Sequence, residues 1–288
     1  MAGSSVDDGI VGVTVGVVGL GAMGGPITGH LRRAGIPVVV ADLDAGSVTA
    51  ALAMGAQAAG DLVELGARSD VVLILVATDD DVLAVTAGQG GLLGACRPGT
   101  AVLLCSSVRP DTCAAVAAAA PPGVGVLDAA LTGGVRGAED GQINLLVGGQ
   151  AELLDRVRPV LKPWTRAVHH LGPLGAGQIG KTANNLVHWA QVCAITEALE
   201  LARRAGVSVP VLRRALQDGP TDSRTLRELE QMRLTWHAKD LANTADLAAR
   251  VTMDIPVAET ARQVMTGLAV ADVARLLADG PLHAGAPA

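Results

Sequence analysis

Val13-Thr14-Val15-Gly16-Val17-Val18-Gly19-Leu20-Gly21-Ala22-Met23-Gly24 opens as a run of β-branched residues and closes as a Gly-x-Gly-x-x-Gly turn. The stretch from Pro26 to Ala34 that follows has the composition of a helix, so the segment reads as strand, tight turn, helix. In that context each glycine has a task. Gly19 permits the turn, Gly21 lets a pyrophosphate approach the backbone, and Gly24 lets the helix pack on the strand. Gly19, Leu20, Gly21, Ala22, Met23 and Gly24 together form the candidate phosphate cradle, because free N–H groups and the helix dipole favour an anion there.

Eighteen residues beyond Gly24, Asp42 closes a second apolar run, Pro37-Val38-Val39-Val40-Ala41-Asp42. A carboxylate at the end of the second strand accepts the ribose hydroxyls of NAD and repels the extra phosphate of NADP. Asp44 adds to that repulsion and no Arg follows in the turn, so NAD is expected and NADP is disfavoured.

Further apolar runs lie at Val71–Ala77, Ala101–Ser106, Gly123–Leu131 and Ile143–Gly149, and helical stretches separate the early ones, near Ala45–Met54 and Thr112–Ala120. Strands alternating with helices predict an α/β fold with a Rossmann-type, doubly wound parallel sheet. From about Gly172 the periodicity becomes that of long helices, as in Lys181–Ala205, with no further convincing strand. The expected organisation is an NAD-binding Rossmann domain over residues 1–172 and an all-α domain over 173–288, the latter serving substrate binding and dimerisation.

Composition removes whole classes of function. The formal charge is −6, with 22 basic against 28 acidic residues and no cationic stripe, so nucleic acid is not an expected partner. Residues 9–31 carry no Asp, Glu, Lys or Arg, yet they are rich in glycine and follow Asp7 and Asp8, which suits a buried strand and turn better than a signal or membrane segment. Cys96, Cys105, Cys113 and Cys193 show no metal-ligand spacing and read as buried thiols of a cytoplasmic protein, without disulfides or bound metal. The chain contains no tyrosine, which excludes the Tyr-x-x-x-Lys chemistry of short-chain dehydrogenases.

The second half opens on Gly175-Ala176-Gly177-Gln178-Ile179-Gly180-Lys181-Thr182-Ala183-Asn184-Asn185. Glycines ahead of a helix allow another segment to approach closely, and Lys181 and Asn185, four apart, share one helical face. This segment combines with Gly19–Gly24, with Asp128-Ala-Ala-Leu-Thr-Gly-Gly-Val-Arg-Gly-Ala-Glu-Asp-Gly141 and with Ala238-Lys239-Asp240-Leu241. Taken together, from about Val13 to Thr260, the chain resembles the β-hydroxyacid dehydrogenases, the family of 3-hydroxyisobutyrate dehydrogenase, with 6-phosphogluconate dehydrogenase as a more distant relative.

The resemblance implies that Lys181 transfers the proton and that Asn185 hydrogen-bonds the substrate beside it. It also implies that Thr132, Gly133 and Gly134 hold the substrate carboxylate, with Thr in place of the usual Ser, and that Lys239 reaches the cofactor while Asp240 fixes its turn. Val76, Ala77 and Ser107 fall where the family touches NAD. The chain departs from the pattern at Ala130 and Leu131, where the family often has Pro, and near its C-terminus, where a Gly-rich acidic segment is missing. With no Phe or Tyr, aliphatic side chains must wall the pocket; Trp189 and Trp236 are either pocket walls or core.

The reaction this implies is reversible hydride transfer between NAD and a small 3-hydroxy acid or its semialdehyde. The helical half is apolar on more than one face, so a homo-oligomer, at least a dimer built through that half, is expected. A free lysine is a poor base at neutral pH, so partial burial or nearby positive charge should lower its pKa. An imine or keto-acid reductase on the same scaffold is the nearest alternative, although imine reductases usually place Asp or Tyr where Lys181 stands. A non-catalytic NAD-binding module is the alternative of another class. His169 and His170 have no carboxylate at a recognisable spacing, which speaks against lactate-type histidine chemistry, and His237 suits a capping or core role.

Overall fold

The computed structural model describes residues 12–284; Asp7, Asp8 and the first part of the uncharged opening stretch lie outside them. It divides into two compact units, Met1–Lys181 and Thr182–Ala288.

The first unit is built on one eight-stranded sheet. Its strands in chain order are β1 (Val15–Val18), β2 (Val38–Ala41), β3 (Gln57–Ala58), β4 (Val71–Ile74), β5 (Ala101–Leu104), β6 (Gly125–Thr132), β7 (Ile143–Gly148) and β8 (Thr165–Gly172), and they lie in the spatial order 3-2-1-4-5-6-7-8. The order reverses at β1, which pairs in parallel with both β2 and β4 and so makes a topological switch point. β1, β4 and β5 are buried throughout, the mark of parallel strands covered on both faces. Alternation along them feeds two cores. Val15, Val17, Leu73 and Leu103 meet Ile27 and Leu31 of helix α1 (Gly24–Arg33), whereas Val18, Val72, Ile74 and Leu104 meet Leu65, Val82, Cys113 and Val116 on the other face.

Two features of the sheet differ from the sequence expectation. β7 runs antiparallel to β6, because residues 133–142 hold only the short helix α6 (Gly134–Glu139), too little chain for a parallel crossover. β8 was not foreseen: it closes the edge of the sheet with a partly exposed Thr-Arg-Ala-Val-His-His-Leu-Gly pattern that lacks the apolar density of the inner strands.

Helix α8 (Ala176–Arg204) begins in the first unit and continues into the second, so Lys181 belongs to the first and Asn185 to the second. The 29 residues of α8 span about 44 Å. The described part of the second unit holds only helical elements, among them α9 (Val209–Gln217), α11 (His237–Arg250), α12 (Pro256–Thr266) and α13 (Val270–Leu277). They pack around Trp189, Val192, Leu234, Leu241, Met265 and Val273. Among the described residues no helix is long and apolar enough to cross a membrane. All four cysteines are buried free thiols; burial pushes the Cys96 thiol up to about 11, which removes thiolate reactivity at neutral pH.

Candidate active site

Strand register places the strand-end candidates of the first unit on one edge. Ala41, Val18, Ile74, Leu104, Asp128, Gly148 and Gly172 form a single row across seven strands. The residues that leave the parallel strands just beyond this row are Asp42, Gly19, Leu75 and Cys105, so the glycine loop, Val76, Ala77 and Ser107 all emerge at the carboxyl edge, where open α/β sheets bind ligands.

The glycine loop meets the steric demands read from its sequence. Gly19 has φ +91°, and a Cβ at Gly24 would lie 1.9 Å from the Gly19 carbonyl oxygen, whereas a Cβ at Gly21 would meet nothing within 4 Å. The turn is therefore closed where the helix packs and open where a phosphate would approach. Helix α1 starts with no side-chain cap and no acidic residue in its first turn. Other helices of this unit supply their own carboxylates, two of them at the neighbouring strand ends. Asp44 caps α2 (Ala45–Ala53), accepting from the Ser47 N–H at 2.8 Å, and α4 (Asp79–Ala87) begins with Asp79, Asp80 and Asp81 behind a Thr78 capping box. Of these three helices, α1 leaves its N-terminal dipole to an external anion, which fits the pyrophosphate of a dinucleotide.

Asp42 is tied into that loop: Oδ2 accepts the Leu20 N–H at 2.5 Å and Oδ1 accepts the Asp44 N–H at 2.8 Å. Each carboxylate oxygen retains a lone pair, so the same group can receive ribose hydroxyls. The Asp44 carboxyl is held below the ordinary range by hydrogen bonds from the Ser47 side chain and then the Ser47 backbone, which keeps a second negative charge beside Asp42.

β6 has eight residues against four in β5, and Thr132 is its last, about 13 Å past the Asp128 row. Thr132, Gly133 and Gly134 thus occupy the tip of the β6–β7 arm, with Gly133 (φ +114°) as the N-cap of α6. The Thr132 hydroxyl donates to the Asn144 carbonyl oxygen across the ladder at 3.2 Å. To donate to a substrate carboxylate it must rotate away from that carbonyl.

The start of α8 is fastened to the same edge by residues to which the sequence reading gave no role of their own. Asp128, fully buried in β6, accepts the Gly175 N–H at 2.6 Å on Oδ1 and the Gln178 N–H at 2.8 Å on Oδ2. Burial pushes the Asp128 carboxyl up, and hydrogen bonds from Gly175, then Gln178, oppose it. The Gln178 side chain reaches the loop after β5, donating to Ser106 O and accepting from Val108 N. The available signal was an acid inside the apolar run Val126-Leu127-Asp128-Ala129-Ala130: a carboxylate there must find donors, and the uncapped start of a helix supplies them.

In the second unit Asn185 is buried, and Asp240 accepts the Trp189 indole N–H at 3.0 Å, joining α11 to α8. Lys239 is half-buried in the first turn of α11. Trp189 is core, edge-on to His237, while Trp236 is exposed. The His237 ring bonds Leu234 O at 2.9 Å, a local backbone bond, and the His170 ring bonds Gly149 O at 2.8 Å.

The comparisons with known proteins agree with this geometry. Residues 14–172 match the model of the NAD binding domain of 6-phosphogluconate dehydrogenase, and residues 175–276 match that described as NAD-binding of NADP-dependent 3-hydroxyisobutyrate dehydrogenase. The chain is 36% identical over 199 residues to 3-hydroxyisobutyrate dehydrogenase of Pseudomonas aeruginosa, covering 69% of this chain and 67% of that one. It is 35% identical over 196 residues to 2-(hydroxymethyl)glutarate dehydrogenase of Eubacterium barkeri, covering 68% of this chain and 65% of that protein's length. The matched stretch thus spans about two thirds of these relatives. The structure of Mycobacterium tuberculosis 3-hydroxyisobutyrate dehydrogenase with L-serine superposes with a TM-score of 0.81 at 28% identity, over 88% of this chain and 93% of the other. A switch-point sheet with an open glycine loop, a helix anchored on its carboxyl edge and matches along both halves lead to one assignment: the chain belongs to the β-hydroxyacid dehydrogenase family, whose relatives here are dehydrogenases of small hydroxy acids.

Proposed function

We propose that this protein is an NAD-dependent dehydrogenase of a small 3-hydroxy acid, with Lys181 as the proton-transfer group. The observation that carries the reading is the anchorage of α8: Asp128 and Gln178 fasten its first turn to the sheet edge that bears the glycine loop, and Lys181 follows within one turn. Rigid attachment of the lysine's helix to the dinucleotide-binding sheet is what positioned proton transfer requires.

In this reading Gly19–Gly24 receive the pyrophosphate and Asp42 the ribose, with Val76, Ala77, Ser107 and Lys239 as further cofactor contacts. Bound NAD supplies a hydride acceptor. The chain's own residues do the rest. Thr132, Gly133 and Gly134 hold the substrate carboxylate, and Asn185, one turn beyond Lys181 on the same helical face, hydrogen-bonds the substrate. Lys181 Nζ takes the hydroxyl proton during oxidation and returns it during reduction. Residues 1–172 form the NAD-binding domain, which also lends Thr132, Gly133 and Gly134 to the substrate; residues 173–288 serve the substrate, with Lys239 reaching the cofactor, and self-association, the last supported by exposed Val187, Leu201, Val211, Val251 and Val257 on the helical unit.

The test is turnover, followed at the nicotinamide absorbance band, with 3-hydroxyisobutyrate, L-serine and 2-(hydroxymethyl)glutarate, beside an NADH-binding titration. Turnover of at least one acid is expected. Tight NADH binding with no turnover of any of them, or of the corresponding semialdehydes in reverse, would reduce the protein to a cofactor-binding module.

A further inference from the structure

Gln178 is 2% exposed, and one short stretch of backbone engages both ends of its carboxamide. Nε2 donates to Ser106 O at 2.8 Å, and Oε1 accepts the Val108 N–H at 3.2 Å. The backbone N–H of the same residue goes to Asp128. Ser106–Val108 is the connection between β5 and α5 (Pro110–Ala119), outside the sheet ladder, where a buried carbonyl and N–H still need partners. A primary amide answers both at once, because it carries a donor and an acceptor side by side, as a peptide group does. A carboxylate would lack the donor and a leucine would lack both. Gln178 is the third residue of α8 and Lys181 stands three residues on, about 4.5 Å along the axis.

We propose that Gln178 is a positioning residue: its clamp on Ser106–Val108 sets the spacing between the loop that carries Ser107 and the helical turn that carries Lys181. The inference rests on the proposed reaction, in which that loop faces the cofactor and that lysine moves the proton. Three parts converge on this one residue, all within the first unit: strand β6 through the bond from its backbone N–H to Asp128, the loop after β5 through its side chain, and the start of α8 to which it belongs. Loss of the clamp leaves each ligand-binding element intact but frees the loop and the helix to drift relative to one another. The effect belongs mainly in kcat and in cofactor binding; the affinity for the acid changes less, because its carboxylate is held at the tip of β6 and only the Asn185 contact rides on the helix.

The experiment compares the native protein with Gln178→Leu, which keeps the volume, and Gln178→Glu, which keeps the shape but loses the donor when ionised. For Gln178→Leu, kcat is expected to fall at least about tenfold while KM for the hydroxy acid stays within about threefold. For Gln178→Glu, kcat relative to native at the same pH should be low at pH 8. It should recover at least about threefold at pH 6, as the buried acid takes up a proton and again donates to Ser106 O. Packing alone gives no such recovery, so a ratio that is flat with pH overturns the proposal, as does native kcat in Gln178→Leu. Should Gln178→Leu fail to fold, the pH profile of Gln178→Glu decides. If the native protein turns over none of the three acids, the reaction assignment fails on its own, and the clamp is then read by NADH fluorescence: binding weakened at least about fivefold in Gln178→Leu supports it, and unchanged binding overturns it.

Discussion

Gly177→Ala is the most direct test of the link between packing and chemistry. A Cβ at Gly177 would lie 2.3 Å from the Leu146 carbonyl oxygen and 2.6 Å from Asp128 Oδ2, against 3.4 Å for ordinary contact, so about 1.1 Å must be found. Leu146 cannot retreat, because β7 is paired with β6 on one side and β8 on the other. Asp128 cannot retreat without surrendering the N–H groups of Gly175 and Gln178. The helix must move, and Lys181 moves with it. A displacement of about 1 Å in a positioned catalytic group costs on the order of a hundredfold in rate. Helix propensity alone favours Ala over Gly by about 1 kcal/mol, so a surface glycine would be improved by the change. Overpacking of about 1–3 kcal/mol reverses that sign here. Initial rates at the nicotinamide band and calorimetric Tm are the assays, with Gly94→Ala, where an added Cβ meets nothing within 4 Å, as the control. The expected result is a kcat lower by about fiftyfold or more and a Tm lower by several degrees, with Gly94→Ala native in both. Native kcat in Gly177→Ala would refute the reasoning, whatever happened to Tm, since the lysine's placement would then not depend on this contact.

Lys181→Ala should lower kcat by about a hundred- to ten-thousandfold at near-native NADH affinity, and Lys181→Arg should do little better because a guanidinium stays protonated; more than about a tenth of native turnover in Lys181→Ala would end the acid–base assignment. The ratio of kcat/KM for NAD over NADP should be well above one in the native protein and fall in Asp42→Ala, which removes a charge that repels a 2′-phosphate; equal use of both by the native protein contradicts the role given to Asp42. Glu200 accepts from Arg203 at 2.9 and 3.1 Å, from Arg204 at 2.8 Å and from the Leu282 N–H at 3.2 Å, and the Arg203 contact above all holds its carboxyl down at about 2. Its folded pKa lies below its unfolded one, so the stability it confers is present above about pH 4.5 and lost as pH falls toward 2. Discounted for the exposed Arg204, that is about 1–2 kcal/mol, and Glu200→Gln should flatten the acid limb of Tm against pH; an unaltered limb would show the cluster to be neutral.

Much of the first unit was legible because its signals are local. Val71–Ile74 is an uninterrupted β-branched and aliphatic run and Val15–Val18 a valine run broken only by Gly16, and each is a strand buried from end to end. Gly19–Gly24 lies between such a strand and a helix, so the loop geometry follows from three glycines with distinct steric duties. β8 escaped for the converse reason: an edge strand is covered on fewer sides, and Arg166, His169 and His170 are tolerated where an inner strand would need valine. The orientation of β7 was carried by neither propensity nor pattern. It follows from the length of the β6–β7 connection, a quantity that has meaning only once both strands are placed.

The site divides along the same line. Residues whose duty is to offer backbone or a terminal charge at a strand end, such as Gly21 and Asp42, can be proposed from position alone, because position relative to the strand end fixes what they can reach; position puts Lys181 only on one helical face with Asn185, and its role comes from the family resemblance. Asp128 and Gln178 act on backbone groups 47 to 72 residues away, and no spacing rule encodes such a partner. What the chain does encode is an unmet need: a carboxylate in an apolar strand, and an uncharged amide in a glycine-rich helix start that buries it. A buried polar group is retained only where its donors and acceptors are matched. Each of these two residues therefore points to the kind of element that must meet it: the acid needs clustered N–H groups, and the first turn of a helix is where a chain keeps them.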